Sequence, residues 1–487
     1  MQRRKALQQI GLGVSAGLLL PSWLSSCNDY EPQPAIDYDG VVGIIGAGAA
    51  GLYVADILNA KGITVKVFEA SGRVGGRLKN LRQFDLPSDS LLFDPTHFPN
   101  NDFPTELGAE RVLGSDSSWA KIISELKIPI VESSALGTDN YFLDNAFAEE
   151  AEASIDADFI AAKNFVDNLA SYSGGNVSVQ QAIQNQSISP RMYAILNSWL
   201  GNSYGTSNER LGITALSEAA ALRTRNVAQL TLTQNPMEDA LNSRFSAIVP
   251  EVELNTIIQS INYAGEKIVL TGLKDSVPFS EEVDKVIVAV PLSILKTNGI
   301  VFSPSLPSTK TNSLSRMGMD ACIRIVLEFK ANFWGSTSSF LYGGAQAPEY
   351  FNTGIGRSQV TKTLNITITG SKAEDLSALG SGMISVVLEE LDSIFDGKAT
   401  LNIRRDDNNN MVTFIQDWTK EPFIKGGASY VKSGGTNQDR INLATPLDEK
   451  LFFAGEATDI AGDTGTINGA LLSAERAAQE VIDTIIE

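Results

Sequence analysis

The clearest pattern of apolar and polar positions lies near the start of the chain, in residues 41–68. An apolar run over residues 41–45 predicts a buried strand, and the Ala/Leu-rich segment that follows to Lys61 predicts a helix. Gly62 is a typical helix stop, and the alternating run over residues 63–68 predicts a second strand. The pattern therefore predicts a β-α-β unit.

Three glycines and one acidic residue indicate what this unit binds. Gly46 permits a tight turn, Gly48 lets backbone approach a pyrophosphate, and Gly51 lets the helix pack closely on the strand. The helix N-terminus that follows is suited to phosphates. Glu69, 23 positions after Gly46, can accept hydrogen bonds from both ribose hydroxyls and would repel a 2′-phosphate. We therefore expect a dinucleotide other than NADP.

The rest of the chain alternates between two kinds of pattern. Mixed helical patterning over residues 80–234 is typical of a second, substrate-binding domain. An alternating run over residues 323–329 predicts part of that domain's sheet, and a strand and helix from Leu451 onward predict a return to the first domain. Other strand-like runs, assigned to the first domain, are residues 252–254, 267–270 and 286–290.

Composition narrows the class of protein. A chain of 487 residues with 43% apolar residues can bury two cores. The formal net charge of −19, without a basic patch, argues against a nucleic-acid partner. An acidic surface aids solubility, and electrostatic steering of cationic amines is the alternative reason for it. One histidine and two cysteines exclude ordinary zinc or haem clusters, so no metal site is predicted.

A GxSxG pattern at residues 201–205 raises the alternative of a hydrolase. No strand-like run precedes it, as a nucleophile elbow requires. The only histidine, His97, lies in a proline-rich stretch rather than near a candidate acid. We therefore interpret the pattern as a coincidence.

The first 27 residues are interpreted as an export signal rather than as part of the fold. Arg3 and Arg4 resemble a twin-arginine (Tat-type) signal, and residues 24–27, Leu-Ser-Ser-Cys, resemble a bacterial lipobox. The apolar run over residues 10–20 is shorter than the roughly 20 residues that span a bilayer, although an uncleaved anchor is an alternative. We expect a periplasmic or cell-surface lipoprotein of a bacterium, attached to the membrane only through a lipid on Cys27.

Motifs spread over the chain resemble the flavin-containing amine oxidase family, which includes monoamine, polyamine and L-amino-acid oxidases. They are Arg-Val-Gly-Gly-Arg at residues 73–77, the stretch over residues 286–334, Leu-Phe-Phe-Ala-Gly-Glu-Ala-Thr at 451–458, and Thr-Gly-Thr-Ile-Asn-Gly-Ala at 464–470. The resemblance runs from about Val41 to the C-terminus. It implies an FAD cofactor that accepts hydride from a C–H bond next to an amine nitrogen, with O2 as the expected electron acceptor and H2O2 as product.

The resemblance also implies which segments hold the FAD. The helix that opens near residues 464–468 is expected to stabilise charge at the N1/C2 end of the reduced ring through its N–H groups and dipole. The implied FAD contacts are Gly46, Gly48, Ala50, Gly51, Glu69, Ala70, Arg73, Gly76, Arg77, Gly108, Ala109, Glu110, Gly455, Glu456, Thr466 and Ile467. The implied fold is α/β plus α+β: a signal at 1–27, a tether at 28–39, a discontinuous Rossmann-like FAD-binding domain at 40–80, 246–299 and 440–487, and a substrate-binding domain of mixed sheet and helices at 81–245 and 300–439.

The chain departs from the family pattern at its substrate-facing positions. The family lysine that holds a water beside the flavin aligns with Arg324, and the family glycine before it aligns with Asp320, which could pair with Arg324. The two aromatic-cage positions align with Ala428 and Thr466, which implies a wider or more polar pocket, a bulky substrate or lost amine chemistry. The position that carries a cysteinyl flavin in some relatives aligns with Gly427, so the FAD is expected to be non-covalent.

One position favours amino acids as substrates. Residues 106–111, Glu-Leu-Gly-Ala-Glu-Arg, resemble the segment of L-amino-acid oxidases in which an arginine binds the substrate carboxylate, and Arg111 aligns with that arginine. A structural arginine is the alternative. The candidate catalytic residues are therefore Arg324, Arg111 and Thr466, acting on a small-molecule amine or L-amino acid. A desaturase or dehydrogenase with another electron acceptor, and a flavin-binding lipoprotein without oxidase activity, remain as alternatives; the oligomeric state is open.

Overall fold

The computed structural model describes residues 36–81, 105–223, 228–355 and 362–486. The expected export signal, most of the expected tether and His97 lie outside these residues. The end of the expected tether is packed rather than extended: Ile36 and Tyr38 lie against the first core, and the Ile36 N–H donates to the Lys61 carbonyl at 2.8 Å. In the part of the chain that is described, no helix combines the length and apolarity needed to cross a bilayer.

The strands of the described residues form five sheets. In chain order they are β1 Val41–Ile45, β2 Thr64–Phe68, β3 Val112–Leu113, β4 Ile130–Glu132, β5 Thr138–Leu143, β6 Ala146–Glu149, β7 Gln229–Leu232, β8 Thr256–Asn262, β9 Ile268–Lys274, β10 Val277–Val283, β11 Lys285–Val288, β12 Val301–Ser303, β13 Met317–Met319, β14 Cys322–Glu328, β15 Ser338–Tyr342, β16 Glu349–Asn352, β17 Thr363–Thr369, β18 Thr413–Asp417, β19 Ser429–Val431 and β20 Leu451–Phe453.

Helices cover these sheets and connect them. They are α1 Ala49–Ala60, α2 Ser118–Glu125, α3 Ser133–Leu136, α4 Glu150–Ala153, α5 Ala157–Asp167, α6 Val179–Asn185, α7 Tyr193–Asn197, α8 Ile213–Leu222, α9 Met237–Arg244, α10 Leu292–Lys296, α11 Ser308–Arg316, α12 Gly370–Ala378, α13 Met383–Ile394, α14 Lys398–Asn402, α15 Gln438–Ala444 and α16 Ile467–Ile486. A π-helix, Ser198–Asn202, follows α7 directly.

A four-stranded parallel sheet, in the order β2-β1-β11-β20, forms the first half of the molecule. The predicted β-α-β unit is confirmed, since β1, α1 and β2 follow one another within a residue or two of the predicted limits. Helices α1 and α16 bury their apolar faces in the same hydrophobic core as this sheet. Parallel strands joined by a crossover helix are covered on both faces, which explains the almost wholly apolar β1.

One predicted strand of this half is wrong. Residues 252–254 follow a short 3-10 helix at Val249–Glu251 and precede β8, and only Glu253 bridges to the end of β2. Its N–H donates to the Val67 carbonyl at 2.8 Å, and its carbonyl accepts from Glu69 N–H at 2.9 Å. This single β-bridge satisfies both backbone groups of Glu253, so residues 252–254 do not form a strand. The other two runs are strands, as β9 and β11 show.

A seven-stranded mixed sheet, in the order β18-β14-β17-β16-β15-β5-β6, forms the second half. Strand β14, the second strand from one edge, is buried along its whole length, and its alternate side chains face different surroundings. Ile323, Ile325 and Leu327 pack in a core with α12 and α13, whereas Cys322 and Arg324 line a cavity on the other face. The predicted strand at residues 323–329 is confirmed.

Part of the expected substrate-binding segment packs with the first half. The small sheet β3-β7-β4 and helices α2 and α9 contribute Trp119, Leu230 and Met237 to the core that also contains β1 and α1. The N–H of Ser118 at the start of α2 donates to the Asn468 amide oxygen of α16 at 2.8 Å. Short elements of this kind bury too little apolar surface for a core of their own, so they share the nearest one.

Lys310 is a buried lysine whose side-chain nitrogen binds backbone carbonyls at the end of α15. Its ammonium group donates to the carbonyls of Asn442, Leu443 and Thr445 at 3.0, 2.7 and 2.5 Å. Lys310→Met leaves these C-terminal carbonyls without that donor, so we expect the free energy of unfolding to fall by about 2 to 4 kcal/mol in chemical denaturation. The exposed Lys121→Met on α2 is the matched control and should change little; an equal, small effect of both would contradict this account.

Candidate active site

A cavity of about 480 Å³ begins at the glycine turn and continues to the buried face of the seven-stranded sheet. The glycine-turn end is lined by Gly46, Gly48, Ala50, Glu69, Ala70, Arg73, Gly76 and Arg77. Its middle is lined by Gly108, Ala109, Gly455, Glu456, Thr466 and Ile467, and its far end by Arg111, Arg324 and Thr367. One cavity thus brings together most of the residues predicted from the sequence; Gly51 and Glu110 lie behind its wall.

The glycine-turn end fits a dinucleotide. A Cβ atom at Gly48 would meet no protein atom within 4 Å, and one at Gly76 would meet only the Gly48 Cα at 3.6 Å. Helix α1 starts at this open space with no side-chain cap and no acidic residue in its first turn. Its free N–H groups and dipole are therefore available to a phosphate.

Glu69 lies at the end of β2, where a ribose-binding acid is expected. One carboxylate oxygen accepts from the Ala47 N–H at 2.8 Å, and the other accepts from the Ser71 N–H and hydroxyl at 2.9 and 2.8 Å. The oxygen that accepts from Ala47 keeps a second lone pair, so these bonds fix the orientation of the carboxylate and leave acceptor capacity for a hydroxyl group.

The two arginines of the 73–77 motif hold the wall of the cavity together. The Arg73 guanidinium donates to the carbonyls of Gly76 and Leu78 at 2.5 and 2.9 Å and so shapes its own loop. Arg77 donates to Glu456 at 2.8 Å and to the Gly427 carbonyl at 2.7 Å. Burial opposes the ionisation of Glu456. Arg77 and the buried Arg440 nevertheless hold the pKa of this carboxyl below its usual value.

Thr466 starts the last helix. Its hydroxyl donates to the Asp463 carbonyl at 2.6 Å and accepts from the Gly469 N–H at 2.9 Å, which is how a capping residue satisfies a helix N-terminus. The N-terminus of α16 lies at the cavity wall with Gly465 and Ile467, where its dipole can act on a negative charge. The hydroxyl of Thr466 thus has a structural task beside any role toward substrate.

A row of mostly polar residues crosses the cavity face of the seven-stranded sheet. Neighbouring strands place these residues directly opposite one another in register, so their side chains share one face. From β18 to β5 the row is Gln416, Arg324, Thr367, Glu349, Tyr342 and Tyr141. Two members of the row, Arg324 and Thr367, line the end of the cavity that lies away from the glycine turn.

Arg324 is held by the segment over residues 106–111 rather than by Asp320. Its guanidinium donates to the Glu110 carboxylate at 2.7 Å and to the Gly108 carbonyl at 2.8 Å. The expected pairing with Asp320 is wrong, because Asp320 precedes β14 and pairs with Arg210 at 3.0 Å. The other Glu110 oxygen accepts from the Asn365 amide at 2.8 Å, which completes a buried network.

Arg111 lies at the cavity with its charge already balanced. Its guanidinium donates to both oxygens of Glu349 at 3.1 Å and to the Gln229 amide oxygen at 3.0 Å, and it lies over the Phe340 ring. Burial alone would lower the pKa of Arg111, but Glu349 raises it above its ordinary value. These contacts agree with the interpretation of Arg111 as a structural arginine; its role toward a carboxylate stays a prediction.

Asp139, on β5 near Arg111, gives the stability a testable pH dependence. Burial, and secondarily Glu150, raise its pKa from 3.8 to about 7, although Arg111 opposes this. The folded protein therefore binds a proton that the unfolded chain releases, and stability falls as pH rises from about 4 to 7. We expect Asp139→Asn to raise the free energy of unfolding by about 2 to 4 kcal/mol at pH 8 and little at pH 4.

Thermal melts of Asp139→Asn at the two pH values measure this effect. The exposed Asp116→Asn is the control and should shift the melting temperature little at either pH. An equal gain from Asp139→Asn at pH 4 and pH 8 would mean that the benefit comes from something other than the loss of an ionised carboxylate.

Two sets of cavity residues were missed from the sequence. The π-helix carries Asn202, and Ser203 follows it; both line the cavity within the stretch that fits GxSxG. π-Helices are rare and often mark functional sites, but no sequence signal distinguishes one from an α-helix. Thr367 belongs to a stripe with Asn365 and Thr369 on β17. Period-two polar positions in an otherwise apolar strand could have revealed that stripe.

The parallel sheet with its glycine turn and terminal acid, together with the cavity that continues into a second domain's sheet, defines a dinucleotide-dependent oxidoreductase fold. The model of the NAD(P)-binding Rossmann-like domain matches residues 44–121, and that of the flavin containing amine oxidoreductase matches residues 175–482. The chain therefore belongs to the flavin-containing amine oxidoreductase family. It is an amine oxidase-like flavin oxidoreductase.

Curated relatives and solved structures agree with this assignment. The chain is 25% identical to lysine-specific histone demethylase 1 homolog 3 of Arabidopsis thaliana over 94% of its own length, but it spans only 31% of that protein. Lysine-specific histone demethylase 1 homolog 1 of the same plant is 24% identical over 91% of this chain and 53% of its own length. The chain thus spans about a third to a half of these relatives.

Two solved structures show the same fold. Putrescine oxidase with bound putrescine superposes with a TM-score of 0.75 at 19% identity, covering 91% of this chain and 99% of that chain. Cyclohexylamine oxidase from Brevibacterium oxydans IH-35A superposes with a TM-score of 0.74 at 18% identity, covering 92% and 100%. At sequence identities this low, the similarity shows a shared fold.

Proposed function

We propose that the protein binds FAD non-covalently and oxidises the C–N bond of a primary or secondary amine or an L-amino acid, with O2 as electron acceptor and H2O2 as product. The observation that carries this proposal is the single cavity that joins the dinucleotide end to the polar row. Relatives and structural neighbours are named for acting on lysine side chains, putrescine and cyclohexylamine. An amine nitrogen is the group that these compounds share.

The bound flavin would supply hydride acceptance. The chain's own residues would do the rest: Glu69 would hold the adenosine ribose, and the N-terminus of α16 would stabilise negative charge on the reduced ring. Arg324 at the far end of the cavity is buried, so its own polar contacts lie away from bulk water and are stronger for it.

A desaturase or dehydrogenase with a non-O2 acceptor is the second candidate. Ala428 and Thr466 line the cavity where the resemblance expects aromatic rings. Arg324 stands at the position of the family lysine. Its guanidinium donates to Glu110 and Gly108, so it is hydrogen-bonded to groups of the protein itself. Both observations favour a chemistry that does not depend on an aromatic cage or a lysine-held water. A flavin-binding lipoprotein without oxidase activity fits them as well.

Anaerobic reduction of the bound flavin distinguishes the candidates. The chain from Asn28 onward is purified with FAD and mixed with pools of L-amino acids, polyamines and aromatic amines. Bleaching of the flavin band, followed by H2O2 release when air is admitted, supports the oxidase. Bleaching without peroxide supports the dehydrogenase. A yellow protein that no pool reduces would contradict the amine oxidase and favour the desaturase or the lipoprotein without oxidase activity.

Acid precipitation tests the non-covalent attachment. A Cβ atom at Gly427 would lie 2.8 Å from the Cys322 Cβ, so this position has no room for an attachment side chain. Burial also raises the pKa of the Cys322 thiol to about 11, which keeps it protonated and unreactive. We expect all the FAD in the supernatant after precipitation; colour that stays with the pellet would contradict this part of the proposal.

We also propose that the protein is exported and anchored through a lipid on Cys27. Twin arginines and the lipobox support this, and export of a folded protein suits an enzyme that loads its flavin before export. Mass spectrometry of the membrane fraction should find an acylated N-terminal cysteine at position 27. Cys27→Ser should release the protein from that fraction; a wild-type protein found only in the soluble fraction would refute the anchor.

A further inference from the structure

Thr367, in the middle of β17, carries a hydrogen-bonding group that the protein itself does not satisfy. The residue lines the cavity and is 8% exposed, and its hydroxyl has no partner in the described part of the chain. Buried hydroxyl groups normally have partners, and a missing one points to a ligand or water. Its strand neighbour differs, because the Thr369 hydroxyl bonds to the Asn202 amide oxygen at 3.0 Å and to the Thr206 carbonyl at 2.9 Å.

The surroundings of Thr367 determine which ligand atom suits it. In the polar row it lies between Arg324 and Glu349. Arg324 and Arg111 are among the residues that line the cavity, whereas their partners in the two ion pairs, Glu110 and Glu349, are not. The cavity side of both ion pairs is therefore the positive side, which attracts an oxygen acceptor and repels a second ammonium group.

A hydroxyl can serve this acceptor better than either guanidinium. The Arg111 guanidinium already donates to Glu349 and Gln229, and the Arg324 guanidinium already donates to Glu110 and Gly108. The oxygen of Thr367 is covered in the present rotamer, and rotation about its Cα–Cβ bond to another staggered rotamer can bring the hydroxyl to the position that the methyl group now occupies. Threonine populates more than one such rotamer at small cost, so a ligand that offers an acceptor can select the one that donates.

We propose that Thr367 is a specificity-determining residue that donates a hydrogen bond to a carboxylate or amide carbonyl oxygen of the substrate. This inference rests on the proposed amine oxidation and narrows it: the preferred amines carry an oxygen acceptor near the reacting carbon, and plain diamines are poor substrates. The contact adds to substrate binding and leaves the chemical step unchanged, so it affects KM rather than kcat.

Two substrate-like probes that need no turnover test the contact. Benzoate and benzamide share a ring and offer a charged and a neutral oxygen acceptor. Each is titrated into the FAD-loaded protein, and binding is followed by the perturbation of the flavin absorbance and by the thermal shift. The variants are Thr367→Val, which keeps the shape and removes the hydroxyl, and Thr367→Ser, which keeps the hydroxyl. Thr413→Val on β18, outside the cavity lining, is the matched control.

We expect Thr367→Val to raise Kd about ten- to a hundredfold for benzoate and about three- to tenfold for benzamide. Thr367→Ser and Thr413→Val should bind like the wild type, and without probe Thr367→Val should melt at or above the wild-type temperature, since it removes an unsatisfied group. Equal Kd values for wild type and Thr367→Val, or no binding of either probe to the wild type, would overturn the proposal. A Thr367 effect in a protein whose flavin no amine reduces would instead refute the oxidase and keep the acceptor site.

Discussion

Replacing Gly51 by alanine is expected to abolish cofactor binding and to lower the free energy of unfolding by more than about 3 kcal/mol. A Cβ atom at this position would lie 1.9 Å from the Gly46 carbonyl oxygen. The obstacle is backbone within the glycine turn, so α1 has to move away from β1 before the methyl group fits. Flavin content after purification and thermal melts of the apoprotein measure the two effects.

Gly48→Ala is the matched comparison in the same turn. Its Cβ atom would meet no protein atom within 4 Å, and its backbone is extended at φ −78°, which alanine adopts freely. The apoprotein should therefore keep its melting temperature, whereas FAD affinity should fall at least about tenfold, because the methyl group enters the space that a pyrophosphate needs. If both variants lost stability equally, the distinction between helix packing and cofactor approach would be wrong.

Breaking the buried pair of Arg324 and Glu110 is expected to have the second large effect. Arg324→Met leaves a buried carboxylate and Glu110→Gln leaves a buried guanidinium, so each should lower the free energy of unfolding by about 3 to 5 kcal/mol. The double variant leaves neither charge alone. It should therefore be markedly more stable than the sum of the single changes predicts, which a double-mutant cycle in chemical denaturation measures.

Arg191 provides the contrast at the surface. It pairs with Asp144, with Asp156 at 2.8 Å and with Asp158 at 3.1 Å, and solvent screens these contacts. Arg191→Met should consequently change the unfolding midpoint little. Additive effects of Arg324→Met and Glu110→Gln would contradict the idea that each residue neutralises the buried charge of the other.

The parts of the fold that follow from local sequence could be predicted. The β-α-β unit depends on a hydrophobic run, a glycine turn and a helix stop that lie close together in the chain, so β1, α1 and β2 were found near their true limits. Strand β14 was equally accessible, because its alternation reflects two different faces of one sheet. In both cases the residues that determine the element lie next to one another in the sequence.

Features that depend on distant partners could not be predicted. Glu110 and Arg324 are 214 positions apart, and nothing near either residue specifies the other, so the nearer Asp320 was the natural but wrong partner. The same holds for the packing of α2 and α9 with the first half, since amphipathic helices do not reveal which core they join. The orphan hydroxyl of Thr367 becomes visible only when every neighbour is known.

The two buried ion pairs have opposite polarity. In the segment over residues 106–111, Glu110 pairs with Arg324 of the sheet. The next residue, Arg111, pairs with Glu349 of the sheet. A slip of this segment by one residue would bring Arg111 toward Arg324 and leave Glu349 alone. The two ion pairs therefore permit only one register of this segment against the sheet. A chimaera that grafts the segment between family members would need to carry the matching residues of β14 and β16 with it.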